Sequence, residues 1–270
     1  MRPALNPSLR HFPPSLRAPR AALERACRTL VVLPVYHLGA RAVPVARAAA
    51  EFVRRHPDFE FCFVDDGSRD GTAERLRAAL QREGATAIEV LSLAENSGKG
   101  AAVRHGFLSR ESDADYFVFL DGDLPYPFAD LFVAISALEV ADVAIGNRHL
   151  ARQGHRAPWV RHRMGRMFNF VARHALNLSY GDTQAGIKAF RREAALDLFG
   201  QLTIEGFSFD VELLVAAERR GWRVVEFPAH LTTEHAFEVR PVRLLRHAYR
   251  MSRDALAIRW NLERGRYDRR

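Results

Sequence analysis

The chain has 270 residues, 48% of them apolar and 27% charged, which is ordinary for a globular enzyme and enough for one large α/β domain or two small ones. Two cysteines, Cys27 and Cys62, leave no basis for a disulfide framework and make a reducing compartment the default. The net charge of +8 is uneven: residues 1–28 hold six arginines and one glutamate, residues 240–270 hold ten arginines and three acids, and the stretch between them is mildly acidic. Basic ends on an acidic body suit a catalytic body whose ends touch something anionic. The basic ends show little of the aromatic interleaving used to stack bases, so the expected partner is an anionic membrane surface and not nucleic acid. No signal-peptide core and no run of roughly 18 apolar residues is present, so no transmembrane helix is expected. The expected location is cytoplasmic, peripheral on the cytoplasmic face of a membrane.

Residues 1–27 are rich in Pro and Arg and read as a poorly ordered basic arm. From residue 29 strands and helices alternate. Strands are expected at 29–35, 59–64, 87–92, 115–120 and 142–146, with helices at 40–55, 70–83, 98–110 and 127–138. Residues 157–178 form an Arg-rich segment that reads as a helix. A strand at 186–191, a helix at 208–220 and a strand at 222–227 follow. In 241–262, Leu244, Ala248, Met251, Ala255, Ile258 and Leu262 repeat at helical spacing, opposite Arg243, Arg246, Arg250 and Arg253. Such a helix either packs on the body with a solvated arginine face or lies at a lipid interface. Continuous apolar strands between helices predict a single α/β domain over 28–240, its central sheet mostly parallel, and a basic amphipathic helix and tail over 241–270.

Two strand ends are acidic. Asp121-Gly122-Asp123 closes the apolar run 116–120, and Asp65-Asp66-Gly67-Ser68 follows the run 59–64. Ligands of open α/β sheets bind at the carboxyl ends of strands, and two carboxylates two residues apart can hold one hard divalent cation. The pair of acidic ends points to a nucleotide and its metal. Lys99, between Gly98 and Gly100 at a helix start, is placed for a phosphate or ribose contact, although the spacing is not that of a P-loop.

Pro34-Val35-Tyr36, Asp65-Asp66-Gly67-Ser68, Asn96-Ser97-Gly98-Lys99-Gly100, Asp121-Gly122-Asp123 and the segment 182–188, Asp-Thr-Gln-Ala-Gly-Ile-Lys, occur in an order that resembles family 2 inverting glycosyltransferases. The segment 182–188, together with 207–214, is most similar to the subgroup that makes dolichyl-phosphate and polyprenyl-phosphate sugars. The resemblance implies a GT-A fold and transfer of a hexose from a UDP-glucose or GDP-mannose type donor to a polyprenyl phosphate. It implies a donor site of Pro34, Tyr36, Asp65, Asp66, Lys99, Asp121, Gly122 and Asp123, with Mg2+ or Mn2+ on Asp121 and Asp123. It also implies that Arg148, Arg161 and Arg166 hold the acceptor phosphate, with Asp123, Asp182, Arg148 and Arg161 carrying the catalysis.

The chemistry fits that resemblance. A cation beside the donor diphosphate offsets the charge that develops as it leaves. A polyprenyl phosphate is already an anion and attacks the anomeric carbon without a base, through an oxocarbenium-like transition state, whereas a hydroxyl acceptor needs one. In that second case Asp182 or Asp210 would have to serve. Several roles stay open on sequence alone. Asp65 and Asp66 either meet base or ribose or cap their turn, Asp182 either orients sugar or caps a turn, and Glu212 reads as an acid facing its helix dipole. Gln184 and Lys188 complete the Asp-Thr-Gln segment, Arg240 and Arg243 could reach the diphosphate, and Arg163 reads as solvated. The chain departs from the family at three places: His37-Leu38 replaces Asn-Glu, Pro125 stands two residues beyond Asp123 where a further ligand can occur, and Gly165 replaces a Ser near the acceptor. His235 is the substitute ligand to consider. A non-catalytic nucleotide-sugar-binding protein is the alternative of another class.

Overall fold

A computed structural model describes residues 27–109, 112–151, 176, 178–232 and 241–268, with only the backbone course described for 241–249 and 251. The arm, most of the Arg-rich segment with Arg161, Arg163, Gly165 and Arg166, and also His235 and Arg240, lie outside the described residues; the side chain of Arg243 does too.

The elements run β1 Thr29–Val35, α1 Ala42–Arg55, β2 Phe59–Asp65, α2 Thr72–Arg82, β3 Ile88–Ser92, α3 Lys99–Leu108, β4 Tyr116–Leu120, α4 Ala129–Ala137 and β5 Val143–Asn147. Then come β6 Ile187–Arg191, α5 Arg192–Gln201, α6 Phe209–Arg219, β7 Val224–Pro228 and α7 Pro241–Glu263. The seven strands form one sheet in the order β3-β2-β1-β4-β6-β5-β7. Every pairing is parallel except those of β6, which runs antiparallel between β4 and β5.

Strand periodicity explains the layers. Leu30 and Val32 face one side of β1 and Val31 and Leu33 the other, all fully buried, so the strand must be covered on both faces. On one face α1, α2 and α4 cover Val31, Leu33, Phe61, Phe63, Val118 and Leu120. On the other, α3, α5, α6 and the end of α7 cover Leu30, Val32, Val64, Phe117, Phe119 and Phe190. There Phe107 meets Phe117, Phe190 and Phe199 edge to face, an arrangement the ring quadrupoles favour.

The C-terminal segment belongs to this core. Ile258 and Tyr267 are fully buried, and the Tyr267 hydroxyl donates to Glu212. Glu212 also accepts from the backbone N–H groups of Thr203 and Ile204 and from the Thr203 hydroxyl. Besides standing in the first turn of α6, it ties that helix, the 202–204 turn and the tail together. Among the described residues no helix is long and apolar enough to cross a membrane.

Candidate active site

The order β2-β1-β4 sets three carboxyl ends side by side, and the reversal from β1 to β4 is the switch point where open α/β sheets bind ligands. Because β6 runs antiparallel, its amino end joins them, and the segment 182–186 comes to the same edge as the end of β5 at Asn147. Asp65, Asp66, Tyr36, Asp121, Asp123, Asp182 and Arg148 therefore share one edge of the sheet.

Close approach shapes this edge. Gly122 passes the end of β1 so tightly that a Cβ would lie 2.5 Å from the Pro34 carbonyl oxygen. Gly186 accepts the Asp121 N–H on its carbonyl, and a Cβ there would lie 1.9 Å from Asp121 Oδ2. The Gly186 N–H donates in turn to the hydroxyl of Tyr126, whose pKa burial pushes up to about 12, so it stays a neutral phenol. Gly100 lets the start of α3 rest on the Ile204 carbonyl and on Phe209, which sets Lys99 between strand β4 and helix α6.

The Lys99 ammonium lies 2.7 Å from Asp121 Oδ1 and 3.9 Å from Asp210 Oδ2. Burial would lower its pKa, but the two carboxylates outweigh that and hold it above the ordinary lysine value. Lys188 is fully buried in β6, 2.6 Å from Asp210 Oδ1, and also donates to the Ala185 carbonyl. Arg148 follows β5 and donates from Nε and Nη2 to the two oxygens of Asp182, at 2.6 and 2.8 Å. Burial works against the Asp182 carboxylate, yet the guanidinium keeps its pKa below the usual value.

Asp123, partly exposed, lies 3.7 Å from the Arg41 guanidinium. Asp65 accepts from the Ser68 hydroxyl, and Asp66 accepts from Asn96 and from the N–H groups of Ser97 and Gly98. The cap made by Asp66 therefore serves the loop before α3 and not its own turn. Burial raises the Asp66 pKa against the lowering effect of those donors. Tyr36 is half-exposed and stacks on His37 with centroids 4.0 Å apart; His37 is fixed by Ser68 and by the Arg69 N–H. Pro125 offers its carbonyl to Thr232.

Asp121 and Asp123, both partly exposed at one strand end, are the residues that could hold a divalent cation. No group of three His, Cys, Asp or Glu converges on a metal position among the described residues, so phosphate oxygens and water would complete the coordination. Sequence reasoning missed Glu226 and Asn147. Glu226 accepts from the N–H groups of Gly181 and Asp182 and from Asn147, and so supports the Asp182 turn. The signal was present, since Glu226 interrupts an apolar strand and Asn147 ends one.

Comparison with known proteins decides the family. The model of Glycosyl transferase family 2 matches residues 30–199. The chain belongs to this family. The glycosyltransferase is 30% identical to the dolichyl-phosphate beta-glucosyltransferase of Saccharomyces cerevisiae over 85% of its own length and 73% of the yeast protein. It is 35% identical to that of Drosophila melanogaster over 70% of its length, and there it spans 62% of the relative. Its fold is the GT-A fold of glucosyl-3-phosphoglycerate synthase from Mycobacterium tuberculosis, solved with Mn2+, UDP and phosphoglyceric acid, with a TM-score of 0.55, 20% identity and coverage of 86% and 77% of the two chains.

Proposed function

We propose that this glycosyltransferase moves a hexose from a nucleoside-diphosphate sugar, of the UDP-glucose or GDP-mannose type, to a polyprenyl phosphate, with inversion at the anomeric carbon. One observation carries the acceptor. Asp182 and Asp210, the carboxylates a hydroxyl acceptor would need as base, are both buried and paired with Arg148 and with Lys188. An acceptor that is already an anion needs no base and instead needs cations. The names of the yeast and fly relatives support the same acceptor class.

In this reading Tyr36, with Pro34, Asp65 and Asp66 behind it, borders the nucleoside, and Gly122 keeps that edge close to β1. Asp121 and Asp123 hold Mg2+ or Mn2+, and the bound cation offsets the charge of the departing diphosphate. Before the cation arrives, Lys99 pairs with Asp121 and neutralises it. Asp182 aims Arg148 at the acceptor phosphate, which Arg161 and Arg166 help to hold. The enzyme works at the cytoplasmic surface of a membrane. Support comes from α7 and its end, where Leu256 and Trp260 are 70% and 54% exposed and Arg253, Arg259 and Arg264 are exposed near them.

Donor turnover tests the reading. UDP- and GDP-sugars are incubated with Mn2+ or Mg2+, with and without a short polyprenyl phosphate, and released nucleotide is followed. Release that depends on the lipid and is lost in Asp123→Ala supports the proposal and names the donor. Release that ignores the lipid but responds to saccharides contradicts it.

A further inference from the structure

Four side chains of alternating sign run inward from the site: Asp121, Lys99, Asp210 and Lys188, with successive separations of 2.7, 3.9 and 2.6 Å. Side-chain exposure falls along the row from 32% to 12%, 3% and 0%, so the inner pair is out of reach of donor and acceptor. A buried ion pair is a weak device for stability, because a well-packed apolar pair of similar volume often does as well. Its link to Lys99 gives it another use.

Lys99 stands between two carboxylates, with its ammonium 5.4 Å from the ring centre of Phe119 and 5.7 Å from that of Phe209. The two ring faces add a weak attraction to the ammonium between its two carboxylates. A cation arriving at Asp121 competes with the ammonium already there. Without a second carboxylate the displaced ammonium would keep only the two ring faces as partners beside the like charge of the cation, and it would oppose the cation.

We infer that Asp210, anchored by Lys188, is a positioning residue for the cation site, receiving the Lys99 ammonium when a divalent cation takes the Asp121 carboxylate. The inference rests on the cation reading of Asp121 and Asp123 given above. Lys188 moderates the pull of Asp210, so that Lys99 returns to Asp121 and neutralises it when the cation leaves. The row thus lets one carboxylate change partners without leaving any buried charge unpaired.

The test is Mn2+ binding to the full chain in the presence of UDP or GDP, read from the electron paramagnetic resonance of free Mn2+, alongside thermal melting. Asp210→Asn is expected to weaken Mn2+ binding about tenfold, the scale of outer-shell effects on metal sites. Asp210→Asn with Lys188→Met removes both buried charges together, guards against misfolding, and is expected to show the same weakening. Lys188→Met alone frees Asp210 to draw Lys99 inward, and is expected to bind Mn2+ at least as tightly as the wild type. In a Lys99→Met background the effect of Asp210→Asn is expected to shrink, as a double-mutant cycle requires if Lys99 transmits it. Wild-type affinity in the folded double variant, or an undiminished Asp210→Asn effect without Lys99, overturns the inference. A wild type that binds no Mn2+ overturns the cation reading and this inference together.

Discussion

Arg148 grips Asp182 at two points, and Asp182 is wholly buried while the arginine side chain is one-third exposed. The backbone N–H of Arg148 donates to the same carboxylate. The buried acid thus fixes the direction of a cation at the carboxyl end of β5. A guanidinium matches a carboxylate with two parallel bonds, and an ammonium cannot. Arg148→Lys is expected to keep the fold and raise the KM for polyprenyl phosphate by roughly tenfold or more, with the donor KM little changed. Arg148→Ala leaves a buried carboxylate unpaired and is expected to cost about 3–5 kcal/mol of stability. Denaturant unfolding and steady-state kinetics check both.

The same pair sets a pH dependence. The Asp182 pKa is lower in the folded protein than the ordinary aspartate value, so the pair contributes stability above about pH 4, lost as pH falls through the lowered value. Glu226 runs the other way. Burial raises its pKa above 4.5, so it opposes folding at neutral pH and that penalty eases as pH falls. The melting temperature of Asp182→Asn is therefore expected to lie furthest below wild type at neutral pH, with the gap closing below about pH 4. A gap that is constant with pH contradicts the assignment.

Gly186→Ala tests the close approach behind Asp121. The new Cβ would lie 1.9 Å from Asp121 Oδ2 and must displace that side chain. Overpacking of this kind costs about 1–3 kcal/mol, so the fold is expected to survive. Mn2+ and nucleotide binding is expected to fall at least about tenfold, by the same outer-shell argument. Calorimetric titration with UDP and GDP in Mn2+ reads it directly.

For the membrane, point changes are better probes than removal of α7, because Ile258 and Tyr267 are core residues. Leu256→Asp with Trp260→Asp alters only exposed positions. Flotation with anionic vesicles is expected to show several-fold weaker binding with an unchanged melting temperature. Equal flotation of the variant and the wild type contradicts a membrane role for this face.

The sheet and its acidic edge were legible in the sequence because local patterns encode them. Leu30 to Leu33 are apolar without a break, so β1 had to be buried on both faces, and Asp121 and Asp65 fall where such strands end. The direction of β6 was not legible, since a five-residue apolar run reads the same parallel or antiparallel. Nor were the pairings of Lys99 with Asp121, of Asp66 with Asn96 and of Glu212 with Tyr267, which span about 22, 30 and 55 residues of chain and are set by packing. On α7 the periodicity correctly turned Ile258 and Leu262 inward, but Leu256 and Trp260 fall on the arginine side and passed unnoticed.

The most direct test of the central claim compares a short polyprenyl phosphate with the corresponding polyprenol as acceptors, at saturating nucleotide sugar and Mn2+. The account predicts glycosylation of the phosphate alone, because the two candidate bases for an alcohol, Asp182 and Asp210, are buried and ion-paired. Turnover of the polyprenol at a comparable rate would contradict it, and would show that a base operates in this site after all.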